Sequence, residues 1–324
     1  MFCKLLATTL AAAAAFALPT AKALAQDPYP SKPVKIIVPY APGGPNDIVA
    51  RLLAQKLGEM EKQSFIVENK PGGGSNIGAD FVAKAPADGY TLLYGFNQIA
   101  TMNPSLYKKL PYQPERDLMP LGLTLNLSYM WIANLDFPPT SIGELVRLNR
   151  ARPGSVNYAS TGPGSAAHLG GVLLERMTQT QMTHVPYRSN TNPDLLAGIV
   201  QLKLDPVAAS IGLARSGKVK VLAVSSPRRL AVLPDVPTVA ESVPGYEMTG
   251  WQGFWAPVGT PPAIARRLNE AIVKVIHRPD MQKRIQELGY EPLGSSPKEM
   301  ADRIHDELAE WSGILRQAQI TLEP

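Results

Sequence analysis

The sequence predicts an α/β protein built from two units. Residues 34–38 form a β-branched run that suits a buried strand, and a Pro/Gly turn over residues 42–45 ends it. Between residues 48 and 57, apolar side chains recur at helical spacing, so the chain opens as strand, glycine turn and helix. Strands and helices then keep alternating, which predicts mostly parallel sheets with right-handed crossovers.

Two more strands complete the sheet of the first unit, at residues 65–68 and 87–95, with a helix between them. The second unit opens with an apolar strand over residues 129–134, and Ser141 and Glu144 then fit a capping box that starts a helix. Its remaining strands are expected at residues 156–160, 182–185, 201–205 and 219–224, and its helices at 165–177, 193–199 and 207–216.

The last part of the chain returns to the first unit. An aromatic strand is expected within residues 245–257. Three helices follow, at residues 262–277, 279–288 and 297–317. Because these helices bring too few strands for a third domain, we expect them to dock on the first unit.

The first 25 residues are typical of a secretory signal. Lys4 precedes an Ala-rich apolar run over residues 5–18, which is too short to span a bilayer, and Ala23-Leu24-Ala25 is a small-x-small cleavage pattern. We therefore expect cleavage near Ala25, an extracytoplasmic mature protein and no stable membrane anchor. Cleavage would also remove Cys3, the single cysteine, and with it any disulfide, thiol nucleophile or cysteine metal site.

Three glycine-rich turns carry the main functional signal. They lie at residues 42–45, in NKPGGGSNIGAD over residues 69–80, and in ASTGPGSAAHLGG over residues 159–171. A turn that leads into a helix directs unpaired backbone N–H groups and the positive helix end at one point, which suits an anion. Three such turns predict a pocket for an acidic small molecule.

Charge and motifs exclude other classes of function. The net charge of +5 comes without a dense basic tract, so nucleic-acid binding is not expected. Neither of the first two glycine turns matches G-x-G-x-x-G, and no GK[ST] is present, which argues against a nucleotide. Four histidines without H-E-x-x-H predict no metal site, so we expect no cofactor.

Seven motifs in a fixed order give the chain a family resemblance. They run from YPSKPVKIIVPYAPGGPNDIVAR through VENKPGGGSNIGADFVAKAPADGYTLL, NPSLYKKLPY, NYASTGPGSAAHL, HVPYR and LAVSSPRR to LPDVPTVAES. The sequence resembles the tripartite tricarboxylate transporter substrate-binding receptors, also called Bug receptors. The resemblance covers nearly all of the chain after the signal. It implies a two-lobed periplasmic binding protein that closes like a flytrap on a small carboxylate and presents it to membrane transporter subunits.

The resemblance also implies how the lobes are assembled. Two crossing strands, near residues 127–134 and 248–254, would join them. Lobe one would comprise residues 27–126 and 249–324, and lobe two residues 127–248. We expect the receptor to be a monomer.

By the same resemblance, the loop after the first strand contacts the ligand from lobe one. Gly43 and Gly44 would let the backbone approach the carboxylate, with Tyr40 and Ala41 as the wall. Asn46 stands where the family commonly has Thr, and it offers an amide donor instead.

Three further positions in lobe one leave alternatives open. Asp47 would repel an anionic ligand, so a cap on first-turn N–H groups suits it better. In the second turn, Gly73, Gly74 and Ser75 would either supply backbone donors or serve the turn alone. Asn97 follows a strand at its carboxyl end, where it is either a ligand contact or a surface-loop residue.

Lobe two would supply the other half of the carboxylate site. Ser160, Thr161, Gly164 and Ser165 offer hydroxyl and N–H groups, and Ser165 also suits a helix N-cap. His168 lies about one turn into the following helix. It either lies near the cleft or packs as an ordinary helix residue.

Two charged residues complete the predicted site. Arg188 would engage a second carboxylate through its fork, or be a solvated loop residue. Asp205 would accept a hydrogen bond from a ligand amine or hydroxyl, or brace the hinge.

Two rival functions stay open. One rival is a secreted hydrolase that uses Ser160 or Ser165 with His168 and Asp205, although no G-x-S-x-G elbow is present. The other is a ligand-sensing docking receptor without transport.

Overall fold

The computed structural model describes residues 29–187, 191–317 and 320–322; the predicted signal and Arg188 lie outside these ranges. Within them the strands are β1 Val34–Val38, β2 Phe65–Asn69, β3 Thr91–Phe96, β4 Leu118–Ala133, β5 Asn157–Ser160, β6 Thr183–Pro186, β7 Leu202–Pro206, β8 Lys220–Val224, β9 Thr249–Pro257 and β10 Tyr290–Pro292. The helices are α1 Pro45–Glu61, α2 Asn76–Ala83, α3 Gln98–Thr101, α4 Asn103–Leu106, α5 Pro114–Asp117, α6 Ile142–Ala151, α7 Ala166–Thr178, α8 Asn192–Leu196, α9 Val207–Arg215, α10 Pro262–Ile276, α11 Pro279–Glu287 and α12 Pro297–Gln317.

The long strand β4 joins two halves of one sheet. Along residues 118–128 it pairs with β9, and the first half has the order β2-β1-β3-β9-β4, with β10 also on β4. From Tyr129 to Ala133 it pairs with β7, and the second half continues β4-β7-β5-β6, with β8 also on β4. Among the strands named above, the parallel pairs are β1 with β2 and β3, and β5 with β6 and β7. The sheet is therefore mixed, because the strands beside the junction run antiparallel.

The sequence predicted only the second part of β4, from Tyr129 onward. Pro120 and Gly122 interrupt the first part, and such residues normally argue against a central strand. The structure accommodates them with register shifts between Pro120 and Gly122 and between Leu123 and Leu125. Any side chain at Gly122 would lie 2.7 Å from the Ser295 carbonyl oxygen, so the glycine permits this close packing.

Helices cover both faces of the first half. Because side chains alternate along a strand, Ile36 packs with Leu53 of α1 while Ile37 packs in a separate cluster with Met300 of α12. The last turns of α12 contribute Trp311 to a third cluster, which contains residues of β4 and β7 from the second half. Helix α12 therefore packs on both halves rather than on the first alone. No helix in the described part of the chain is both long and apolar enough to span a membrane.

Ser225 ties the two connecting segments together beside the junction. Its Oγ accepts from the Tyr129 amide at 3.0 Å, and its own amide donates to the Tyr129 carbonyl at 2.9 Å. The same hydroxyl donates to the carbonyl of Met248, and the Met248 amide donates back to Ser225 at 3.1 Å. One residue at the end of β8 thus holds β4 and the start of β9 at the same level.

Candidate functional site

A cavity of about 330 Å³ lies between the two halves. Its lining combines the start of α1, the end of β3, the middle of β4, the ends of β5 and β7 and the start of α7. Two larger depressions lie elsewhere: one is walled by α1 and β2, and the other lies beside the end of α12. We take the cavity between the halves as the candidate site because three strand ends and two helix starts meet there, as ligand sites of open α/β sheets do.

The start of α7 gives the cavity its clearest anion-binding feature. Ala166 and Ala167 line it directly after the N-cap Ser165. Amides of a first helical turn have no partner within the helix, and the small side chains leave them accessible. From the other half, Pro45 and Asn46 bring the start of α1 to the same space.

The structure brings six of the sixteen predicted site residues to the cavity: Asn46, Asn97, Ser160, Thr161, Ser165 and Asp205. Nine others do not line it: Tyr40, Ala41, Gly43, Gly44, Gly73, Gly74, Ser75, Gly164 and His168. Arg188 lies outside the described residues. Ligand contact by any of these residues stays a prediction.

Asp47 holds the loop before α1 instead of capping the helix. Its carboxylate accepts from the Gly43 amide at 2.9 Å, from Arg51 Nε at 2.9 Å and from Asn69 Nδ2 at 2.9 Å. Burial acts to raise the pKa of Asp47, but these three bonds outweigh it and hold the pKa below its ordinary value. The predicted first-turn cap is therefore wrong, and the Gly43 N–H is used by Asp47.

Tyr40 is part of the support for this wall. Its hydroxyl accepts from the amide of Phe96 at 3.0 Å, and the two rings meet edge to face with centroids 5.1 Å apart. Phe96 lines the cavity and Tyr40 does not. The tyrosine therefore positions the end of β3.

The second glycine turn shapes the cavity from behind. Gly74 adopts φ +62°, and a side chain there would collide with the Tyr107 hydroxyl, so the glycine is required by packing. Its carbonyl accepts from Asn103 Nδ2 at 2.9 Å and from Gln98 Nε2 at 3.2 Å. Gln98 lines the cavity, so the turn reaches the site through that side chain.

Asn97 lines the cavity but is committed to another partner. Its Nδ2 donates to Glu307 Oε2 at 3.0 Å, and the other oxygen of Glu307 accepts from Trp251 Nε1 at 2.8 Å. Glu307 lies on α12, so this carboxylate joins the helix to the ends of β3 and β9. At most one amide hydrogen of Asn97 is left for a ligand.

Neutral groups hold the third glycine turn. Ser160 Oγ accepts from the Gly162 amide at 3.0 Å and lies 2.6 Å from His184 Nε2. His184 stacks on His168 with ring centroids 4.0 Å apart. His168 Nδ1 accepts from the Gly164 amide at 3.1 Å, and burial together with the neighbouring His184 lowers the pKa of His168 to about 4. His168 therefore supports the turn as a neutral packed residue, and no local sequence pattern links it to His184.

Lys203 lines the cavity but is not among the site residues predicted from the sequence. It is 6% exposed, and its Nζ contacts Asp205 at 3.1 Å and donates to Asn192 Oδ1 at 2.9 Å. Burial raises the pKa of Asp205, and Lys203 and the Ser210 hydroxyl oppose that rise. Lys203 and Asp205 are two residues apart on β7 and so share a face, which is the pattern that could have revealed the lysine. Among the described residues that line the cavity, Lys203 is the cation.

The hydrolase arrangement is not assembled. Ser160 contacts His184 instead of His168, and His168 uses Nδ1 to accept from Gly164. Asp205 is bound to Lys203 and Ser210. No group of three or more His, Cys, Asp or Glu side chains in the described ranges is placed to hold a metal ion. The site offers hydrogen-bond donors and a cation, Lys203, which is paired with Asp205, and the donors at the start of α7 suit binding of an anion.

Known proteins resemble this chain in sequence and fold. Rpa4515 of R. palustris, solved with adipate, is 35% identical and matches 91% of this chain and 100% of its own with a TM-score of 0.82. MatC of Rhodopseudomonas palustris, solved with bound malate, is 31% identical over 89% of this chain and 100% of its own, with a TM-score of 0.77. Protein BugT of Bordetella pertussis is 33% identical over 301 residues, which is 92% of each chain.

The family model described as tripartite tricarboxylate transporter family receptor matches residues 49–320. This match spans most of the chain and confirms the resemblance drawn from the seven motifs. The matched structures likewise confirm the fold class expected for such a receptor. The chain belongs to the tripartite tricarboxylate transporter receptor family.

Proposed function

We propose that the protein is a periplasmic receptor that captures a small carboxylate between its two halves and delivers it to a tripartite tricarboxylate-type transporter. The observation that carries this proposal is the meeting of two helix N-termini, from α1 and α7, at one cavity. Helix N-termini favour negative charge, and in this cavity they come from opposite halves. The adipate and malate in the matched structures support a dicarboxylate.

One carboxylate would lie at the start of α7. There Ser160, Thr161 and Ser165 line the cavity beside Ala166 and Ala167, and the hydroxyls of Ser160 and Ser165 donate to the Gly162 carbonyl, so the first-turn amides would be the main donors. The other carboxylate would lie toward Asn46 and Lys203. A hydrogen bond to a charged group contributes about 1.5–3 kcal/mol. Four or five such bonds, less the ordering costs of association, leave roughly −8 kcal/mol, which corresponds to a Kd of about 1 μM.

Closure of the two halves would add the second set of donors. A ligand that contacts both halves favours the closed form by its differential affinity for that form. In this proposal residues 27–126 and 249–324 form one lobe and residues 127–248 the other. The strand pairing supports this division, because β4 changes partners between Ser128 and Tyr129.

Binding is tested on residues 26–324 by thermal shift and isothermal titration calorimetry. The ligands are adipate, malate, the monocarboxylate hexanoate and the neutral adipamide. We expect a dicarboxylate to raise Tm and bind with a Kd of about 1 μM, hexanoate to bind more weakly, and adipamide not to bind. Failure of a wider panel of organic acids to bind would contradict the proposal.

Two further measurements test the remaining parts. Release of p-nitrophenol from p-nitrophenyl acetate at a rate that depends on Ser160 would favour the rival hydrolase. Delivery is tested by uptake of the labelled acid into cells with and without the receptor; equal uptake would leave a ligand-sensing docking receptor. Mass spectrometry of the secreted protein tests cleavage after Ala25.

A further inference from the structure

We infer that Gln252 is a positioning residue that turns the Asn46 amide so that its NH₂ group faces the cavity. This inference rests on the proposed function, because it concerns how Asn46 would meet a carboxylate. It names Gln252, which does not line the cavity, as a determinant of affinity. The basis is a chain of polar contacts that runs from the core of the first half to the cavity wall.

The inner end of this chain is fixed. Tyr94, Thr124 and Gln252 lie on three adjacent strands and are all 0% exposed. The Tyr94 hydroxyl lies 2.5 Å from Gln252 Oε1, and Thr124 Oγ1 donates to the main-chain carbonyl of Gln252 at 3.0 Å. A separation of 2.5 Å fits an O–H···O bond, whereas a reversed Gln252 amide would leave the Tyr94 hydrogen only Thr124 Oγ1, which lies 3.3 Å away and beyond the usual O–H···O range. The Gln252 atom that faces Tyr94 is therefore the oxygen, and the tyrosine donates.

The orientation of the Gln252 amide determines that of the Asn46 amide. With its oxygen facing Tyr94, Gln252 presents Nε2 to Asn46, and Nε2 lies 2.6 Å from Asn46 Oδ1. The Asn46 oxygen is thereby occupied as an acceptor. In the ranges that the structure describes, Asn46 Nδ2 has no protein partner, and Asn46 lines the cavity at the start of α1. Asn46 can therefore offer two donor hydrogens to a ligand.

The direction of this amide decides how Asn46 acts on an anion. An NH₂ group facing the cavity attracts a carboxylate, whereas the oxygen of a reversed amide would repel it. Without Gln252 the Asn46 side chain would rotate freely, and a ligand would have to order it on binding. Buried polar chains with every member satisfied impose such an orientation. Burial raises the pKa of Tyr94 well above its ordinary value, so the phenol keeps the proton that it donates.

A double-mutant cycle separates positioning from simple packing. Adipate affinity is measured by calorimetry for Asn46→Ala, Gln252→Met and the double variant, with malate as the probe if adipate does not bind. We expect losses of about tenfold for N46A and about fivefold for Q252M, with the double variant no weaker than N46A. Losses that multiply in the double variant would show that Gln252 acts independently of Asn46 and would overturn the inference.

Tyr94→Phe tests the inner end, with Tyr112→Phe as a matched control. Tyr112 is another buried tyrosine of the first half, and its hydroxyl contacts Asn76 and Ile99 instead. Both variants should lose stability, but only Y94F should weaken adipate binding, and only while Asn46 is present. Equal affinity losses in the two variants would contradict the relay.

A readout without ligand keeps the inference testable if no dicarboxylate binds. Side-chain amide exchange is followed by NMR, with the signals assigned from N46A and Q252M. We expect the NH₂ hydrogens of Gln252 to be protected and those of Asn46 to exchange with solvent. Protection of the Asn46 NH₂ group would show the reversed amide and overturn the inference, whatever the fate of the receptor proposal.

Discussion

The loops before α1 and α7 both bring a helix start to the cavity, but they are held by different chemistry. Asp47, Arg51 and Asn69 secure the first loop through charge-assisted hydrogen bonds. Ser160, His168 and His184 secure the second through neutral contacts. The shared feature is the position of the helix end. Because the two loops are held by groups that titrate at different pH, we expect them to lose stability over different ranges of pH.

The largest effect is expected from Asp47→Ala in the charged loop. The carboxylate is 3% exposed, and its loss leaves the Gly43 amide without its acceptor and Asn69 Nδ2 with only the Tyr40 carbonyl. We expect the free energy of unfolding, measured with urea, to fall by about 2–3 kcal/mol.

Asp117→Ala provides the control for this variant. Asp117 also accepts from a backbone amide, that of Gln113 at 2.7 Å, and pairs with an arginine, but it lies away from the cavity near the surface. We expect a loss less than half as large, because surface ion pairs contribute little. Equal losses in the two variants would remove the distinction drawn for the first loop.

The second-largest effect is expected from removing the charge of Lys203, the cation that lines the cavity. Lys203→Met removes the cation from the cavity and leaves the buried Asp205 with the Ser210 hydroxyl but without its cation. We expect adipate affinity to fall at least about tenfold, which is about 1.4 kcal/mol, and hexanoate affinity to fall less. Lys220→Met is the control, because Lys220 donates to the Phe137 carbonyl away from the cavity. Unchanged adipate affinity in K203M would show that the loop donors suffice alone.

The smallest effect is a difference between the loops in their response to pH. The pKa of His168 is lowered to about 4, so above about pH 6.5 neither folded nor unfolded chain carries this proton. Between about pH 6.5 and 4 the unfolded chain binds the proton and the folded chain does not, so stability falls as pH falls. His184, whose pKa burial also lowers, adds to the same fall. The Asp47 pKa is lowered from 3.8, so its contribution is lost only below about pH 4.

His168→Gln tests this separation. Glutamine keeps an acceptor for the Gly164 amide but does not titrate. We expect urea unfolding of H168Q to show a shallower loss of stability between pH 6.5 and 4 than the parent chain, with no change in slope below pH 4. Identical profiles would indicate that the stacked histidines do not control the second loop.

Local sequence signals were enough to predict the secondary structure and part of the site. Asn97, Ser160 and Asp205 follow or end strands β3, β5 and β7, and all three line the cavity. The ends of such strands meet at one edge of a sheet, so their position along the chain implies their proximity. Each predicted strand and helix within the described ranges is present with ends shifted by a few residues, except that β4 begins at Leu118 rather than Tyr129.

The rest of the site depends on partners that no local pattern links. Asn46 and Gln252 are 206 residues apart, and the fold alone brings their amides together. Gly74 suited a ligand cradle in the sequence, but the Tyr107 hydroxyl occupies the space that its missing side chain leaves. A glycine shows that something approaches closely, without showing whether it is a ligand or the protein itself.

Ser225 has a consequence for any movement that widens the cavity. Ser225 bonds to Tyr129 on one side and to Met248 on the other, so the two segments can bend together, but sliding of one past the other would break the bonds to at least one of them. We therefore expect the cavity to widen by a hinge rotation about one axis, in which the start of α7 moves away from the start of α1 as part of a rigid unit. In the proposed receptor, the angle of closure at this hinge would then determine how long an acid the cavity accepts.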